Sequence, residues 1–422
     1  MKKTPFVSGK TYVRVSGKVY DQEEIKNLIK AAKDGWWTEG EFGKQFESDF
    51  RKFMGVRYVS LVNSGSSANL VALASLTSKV FGERRLKSGD EFITTAVAFP
   101  TTVNPGILYG LKPVFIDSDI DSLNANIKQL EKAISNKTKL IMMAHTLGKP
   151  YNLNKVMRLV KRYNLWLIED CCDALGSRYN GKLVGTFGHI ATFSFYPAHQ
   201  ISTAEGGAVI TQNPLIHRSI RQFRDWGRDC WCDTGKDDTC RRRFGWKLGD
   251  LPHGYDHKYI YSQIGFNLKL TDFQAAIGVA QLKKLPYFIK KRKENYKKYF
   301  EFFKKYKKYF ILMKTNKKED PCWFGFPLVV RKDSPFTRNQ LTEYLEKNKI
   351  GTRNVFSGNL LRHPAYKNIK YKTVGSLKNA DYVMNSAFWL GVFPEIDDKR
   401  INYVKSKVEE FLFNFISNIK SR

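Results

Sequence analysis

The chain has 422 residues, carries 71 Lys and Arg against 40 Asp and Glu, and has a formal net charge of +31. That length can bury a large core, and no stretch approaches the ~18 uninterrupted apolar residues of a membrane span. The positive excess favours anionic partners, but no nucleic-acid-binding motif accompanies it. Its densest run, KKRKENYKKYFEFFKKYKKYF at 290–310, reads instead as an amphipathic helix with a solvated lysine face. The opening MKKTPFVSGKTYVRVSGKVY lacks the apolar core of a secretory signal, so the expected location is cytoplasmic.

In chain order, residues 1–20 read as an N-terminal arm. DQEEIKNLIKAAKDG (21–35) and EFGKQFESDFRKFMG (41–55) have the spacing of amphipathic helices, each closed by a glycine. Seven short apolar runs follow at 58–64, 91–97, 112–118, 139–145, 165–170, 190–197 and 206–211. Helical segments at 68–82, 127–135 and 153–163 separate several of them. Such runs suit strands covered on both faces, which predicts an α/β fold with a mostly parallel sheet. A long helix over 271–300, interrupted near Pro286, then leads into isolated strands and helices at 324–330, 336–350 and 403–419. The expected division is a large α/β domain over 21–285 and a smaller α+β domain over 286–422.

Asn63-Ser64-Gly65-Ser66-Ser67-Ala68-Asn69 joins a strand to a helix, where small hydroxylated residues and a helix N-terminus can receive an anion; a capped turn is the simpler alternative. Glu169-Asp170 places carboxylates at a strand end, as a pyridine-nitrogen partner requires, although a helix cap or metal ligand would look the same. Six cysteines in a long chain argue for metal or redox chemistry over a disulfide framework. Cys230-Trp231-Cys232 and Cys240 lie in one polar stretch, and a zinc or [2Fe–2S] site needs a fourth ligand, for which Cys172 is the candidate and Cys171 its competitor. Cys322 reads as a buried apolar residue. His253 and His257 are not needed as ligands.

Ser194-Phe195-Tyr196-Pro197-Ala198-His199 and Glu205-Gly206-Gly207-Ala208 resemble the Ser-Phe-x-Pro-x-Lys and Gly-Gly-Ala signatures of the DegT/DnrJ/EryC1/StrS sugar aminotransferases. Gly265-Phe266-Asn267 followed by Gln274-Ala275-Ala276 resembles a further block of that family, and NSGSSAN and IEDCCDALG recur in its order. The resemblance implies the aspartate-aminotransferase (type I pyridoxal-phosphate) fold, a homodimer with shared active sites, and a pyridoxal-derived cofactor. By position it assigns Gly65, Ser66 and Ser194 to the cofactor phosphate, Asp170 to the ring nitrogen and Phe99 to stacking on the ring. Asn267 would reach the neighbouring subunit's cofactor.

The departure is His199, which stands where the family has its Schiff-base lysine. Imidazole cannot make that bond, so the resemblance to sugar-nucleotide 3-dehydratases implies noncovalent pyridoxamine 5′-phosphate (PMP) with His199 as a free base. An unperturbed imidazole, near pH ~6.5, would suit that task, with Gln200 as its expected hydrogen-bonding neighbour. The Cys172-x57-Cys230-x-Cys232-x7-Cys240 spacing resembles the [2Fe–2S] pattern of the CDP-4-keto-6-deoxy-glucose 3-dehydrases. That likeness implies electrons from a separate iron–sulfur or flavin reductase, since no Gly-x-Gly-x-x-Gly motif occurs. Arg353 and His145 are substrate-side candidates by the same likeness, Arg353 with a surface role as its alternative. Trp36 and Trp37 would wall the sugar pocket or pack in the core. A cluster-free, glutamate-dependent dehydratase and a noncatalytic zinc-bearing scaffold remain the competing readings.

Overall fold

The computed structural model describes residues 5–420. All seven expected apolar runs form strands, at Tyr58–Val62, Glu91–Thr95, Lys112–Ile116, Thr138–Ala144, Trp166–Asp170, Ile190–Ser194 and Gly207–Thr211, six of them slightly shorter than the run and the fourth shifted by one residue. They lie in one eight-stranded sheet in the order 58–62, 207–211, 190–194, 166–170, 138–144, 91–95, 112–116, 372–373. Strand 207–211 runs antiparallel to both its neighbours, and the other pairs are parallel. Strands 58–62 and 190–194 therefore point the same way, with Val62 and Ser194 both opposite Gly207. The sheet separates two apolar cores, which is why its strands read as continuous apolar runs.

The helix after the first strand spans Gly65–Ser75, beginning earlier than its apolar pattern because the Ser64 hydroxyl caps it by accepting from Ser67 N. Helix Asp272–Phe303 runs unbroken through Pro286, contrary to the interruption expected there. Proline costs a helix about 3 kcal/mol, but Leu285 and Phe288 are buried on its core face and hold both halves in line. The expected domain division thus falls inside one continuous helix.

Beyond that helix, strands Phe310–Leu312, Gly325–Val330 and Ala387–Gly391 form an antiparallel sheet. Helices Arg338–Lys347 and Asp398–Lys420 accompany it. Lys372–Thr373 leaves this region to pair with the edge of the large sheet. The N-terminal arm joins it too, through a bridge between Val13 and Ile350. The basic run is amphipathic as expected, except that Arg292 is buried. No helix among the described residues is long and apolar enough to cross a membrane.

Candidate active site

In parallel sheets, ligands gather outside the carboxyl ends of the strands, where the chain turns and side chains converge. Here Asp170 and Ser194 are the last residues of their strands. Gly65 opens the helix after a third strand, and Phe99 precedes a helix after a fourth. All four line one cavity of about 440 Å³ together with Ser66, Cys172, Asp173, His199 and Arg353. Val15 and Ser16 of the arm and Phe324, Phe356 and Trp389 of the C-terminal region close its other side.

Gly65 is required by closeness. A Cβ there would stand 2.4 Å from Ser194 Cβ and 3.2 Å from Cys172 Sγ. The helix N-terminus can therefore approach Ser194 directly, making a cradle of backbone N–H and hydroxyl donors suited to a phosphate. Asp170 is held rigidly: its Oδ2 accepts from Thr102 Oγ1 at 2.7 Å and Asn69 Nδ2 at 2.9 Å, and its Oδ1 from Cys172 N at 3.1 Å. A carboxylate has about four acceptor positions, so one remains for a cationic ring N–H.

His199 lies at the cavity wall with its ring 5.1 Å from Phe324. Burial, reinforced by the Arg292 guanidinium, pushes it down to about 3, which corrects the unperturbed value expected from sequence. Arg292 donates to His199 O at 2.8 Å and so braces the turn from below. The neighbour of the imidazole is Asp173, with Oδ1 3.6 Å from Nδ1. Burial and Asp170 push Asp173 up to about 8. Both partners therefore favour their neutral forms at pH 7, and the contact is not an ion pair despite its distance. His199 Nδ1 and Asp173 Oδ2 both lack a hydrogen-bond partner, and unpartnered buried polar atoms facing a cavity suit a polar ligand. Gln200 is not the expected neighbour, because its amide donates to Asp173 O and Cys322 O.

Other expectations change similarly. His145 is buried with both ring nitrogens committed, Nδ1 accepting from Tyr151 N and Nε2 meeting Glu169. Glu169 also accepts from Gly185, Phe187 and Gly188 N. With Cys171, these two residues form the one compact ligand-like group among the described residues, yet the imidazole and carboxylate are already hydrogen-bonded within the protein, and His145 does not line the cavity. Trp36 and Trp37 are exposed, and neither walls the cavity nor packs in the core. Asn267 is likewise exposed, outside the cavity of its own chain, and its Oδ1 accepts from Lys269. Cys322 is buried as expected.

The four cysteines divide three and one. Cys172 faces the large cavity, while Cys230, Cys232 and Cys240 line a separate small cavity with Asp237, Asp238, Arg243, His257 and Lys258. Burial pushes Cys230 up to about 11. Burial opposes ionisation of Cys232 too, but a 3.0 Å hydrogen bond from Thr239 Oγ1 helps bring it below the ordinary value. Asp173, Asn69 and Arg292 are the site residues that sequence reasoning missed. The first two sit inside motifs already singled out, and Arg292 was hidden in a basic run.

A model of the DegT/DnrJ/EryC1/StrS aminotransferase family matches residues 18–409. The chain belongs to this family. It is 50% identical over 407 residues to the lipopolysaccharide biosynthesis protein RfbH of Salmonella typhimurium, covering 96% of this chain and 93% of the relative. It is 46% identical to the dTDP-4-dehydro-2,6-dideoxy-D-glucose 3-dehydratase of Saccharopolyspora spinosa, covering 96% and 88%. The solved structure of E. coli GDP-4-keto-6-deoxy-D-mannose-3-dehydratase with bound hydrated PLP overlays with a TM-score of 0.84 at 31% identity, covering 94% of this chain and 99% of that one. These likenesses establish the pyridoxal-phosphate type of fold and a sugar-nucleotide enzyme of the DegT/DnrJ/EryC1/StrS family.

Proposed function

We propose that this chain removes the C3 hydroxyl of a nucleotide-linked 4-keto-6-deoxyhexose, with PMP as cofactor and a [2Fe–2S] cluster as the route for electrons. The observation that carries the reading is His199 in the lysine position, neutral and facing a cavity that also presents Asp170 and an anion cradle. The substrate is most specifically CDP-4-keto-6-deoxy-D-glucose, from the resemblance of the cysteine spacing; the two relatives named as 3-dehydratases carry dTDP- and GDP-linked sugars in their names. The likeness to RfbH supports a place in making surface polysaccharide.

When bound, PMP supplies an amine that condenses with a ketone and a conjugated ring that accepts electrons. Gly65, Ser66 and Ser194 would hold its phosphate, Asp170 its ring nitrogen, and Phe99 one ring face. His199, neutral at pH 7, would take a proton on its imidazole, and the bound anionic phosphates would raise its affinity for that proton. Arg353 would fork onto sugar or phosphate oxygens. Expelling hydroxide and replacing it by hydrogen consumes two electrons and two protons and releases water. The electrons would come from a separate reductase. Cys172, Cys230, Cys232 and Cys240 would carry the cluster, whose thiolates suit a reducing, cytoplasmic setting. The working unit would be a homodimer in which Asn267 serves the neighbouring cofactor.

The decisive variant is His199→Asn: exchange of the cofactor's C4′ proton should stop while PMP remains bound. Retained exchange would remove His199 as the base. Iron and zinc analysis of anaerobically purified protein tests the cluster, with about two irons per chain expected and zinc alone or no metal counting against it.

A further inference from the structure

We propose that each iron–sulfur centre is built between two copies of this chain, with Cys230, Cys232 and Cys240 from one protomer and the partner's Cys172 as fourth ligand. This rests on the cluster reading above and adds where the centre lies. A [2Fe–2S] cluster needs four protein ligands, and the fold supplies three in one place. The loop thiols share a cavity from which Cys172 is missing, while Cys172 lies at the carboxyl edge of the large sheet, beside Asp170. It is partly exposed there, whereas neighbouring Cys171 is wholly buried.

The segment bearing the three thiols also exposes several large apolar side chains. Trp231, Phe244, Tyr259 and Tyr261 are 45–59% exposed, and Ile264 is 92% exposed. Single exposed apolar side chains need no explanation, but five on the segment that carries three of the ligands favour a covered surface there. At the mouth of the cofactor cavity, Phe99 and Tyr196 are each 51% exposed. A second copy is the occupant that supplies the missing sulfur, because it carries the complementary half of the same ligand set. A twofold arrangement of two such chains generates two identical centres and leaves neither half unused. His257, buried between Trp231 and Trp246 with Nε2 2.8 Å from Asp229 and Nδ1 4.0 Å from Cys240 Sγ, is the competing fourth ligand within one chain.

Complementation separates the arrangements. Cys172→Ser and Cys240→Ser chains, purified alone under anaerobic conditions, should each lose the cluster. Coexpressed with different affinity tags and isolated as the mixed dimer, they should regain one intact site per dimer, about half the wild-type iron and sulfide, with a [2Fe–2S] electron paramagnetic resonance signal after reduction by dithionite. The mixed dimer has one site with both ligands wild type only if the site is shared between chains. A metal-free mixed dimer would overturn the proposal, as would full iron in Cys172→Ser with its loss in His257→Ala. Wild-type chain without iron would refute the cluster reading itself. PMP binding by each variant, read from its absorbance, serves as the control for folding.

Discussion

Arg224 gives a quantitative test of the buried charge network that ties the first strand to the cysteine-bearing segment. Its side chain is fully buried, donates to both oxygens of Glu39 at 2.8 and 2.9 Å, and pairs with both oxygens of Asp225 at 2.8 and 3.1 Å. It also donates to Leu61 O in the strand that leads to the Gly65 cradle. Glu39 in turn accepts from Thr234 of the cysteine-bearing segment at 3.1 Å. Burial alone would raise the Glu39 carboxyl, but the charges of Arg224 and Arg221 override it and hold it at about 2 against an ordinary 4.5. At about 1.4 kcal/mol per unit, that difference represents about 3 kcal/mol. Breaking a buried pair by removing one partner costs about 3–5 kcal/mol, because the other charge is stranded.

Arg224→Met should therefore lower the unfolding free energy at pH 7 by about 3–5 kcal/mol, measured by urea denaturation. Adding Glu39→Gln should recover part of the loss, with a coupling above about 1 kcal/mol in the double-mutant cycle. The sign with pH follows from the depressed carboxyl: its contribution is complete above 4.5 and is lost as pH falls toward about 2. A loss under about 1 kcal/mol for Arg224→Met, or no coupling to Glu39, would refute the account.

Gly65→Ala should weaken PMP binding by about fivefold to a hundredfold, read by equilibrium titration, because overpacking costs about 1–3 kcal/mol and about 1.4 kcal/mol is a factor of ten. Unchanged affinity would mean that Ser194 yields freely. Pro286→Ala should stabilise the chain by about 1–3 kcal/mol by restoring a helical N–H in the middle of helix 272–303; destabilisation would show that the proline is needed there. His189 is pushed down to about 4 by burial and Arg84, from an ordinary 6.5. Its folded form binds fewer protons than its unfolded form, so its share of stability is complete above 6.5 and is lost as pH falls toward about 4. His189→Asn, whose carbonyl can still accept from Leu167 N, should flatten the decline in unfolding free energy across that window. An unchanged slope would place the titration elsewhere.

The strand runs, the Ser64 cap and the motif residues Gly65, Asp170, Ser194 and His199 are all legible in the chain, because each depends on short-range pattern: continuous burial, a hydroxyl before a helix, or a residue type at a fixed place in a motif. Their convergence is a consequence of a shared strand direction, set by parallel pairing through 91–194 and, for strand 58–62, by two successive antiparallel pairings with 207–211, which brings strand ends from residues 62 to 194 to one edge of the sheet. Tertiary packing decided the rest. Burial and Arg292, nearly a hundred residues away in sequence, set the proton affinity of His199. The same packing turned His145 into a buried strut and replaced Gln200 by Asp173 beside the imidazole. Sequence spacing can nominate Cys172 as a companion of Cys230, Cys232 and Cys240, but only the folded chain sends it to a different cavity, because long-range distance and desolvation are properties of the whole fold.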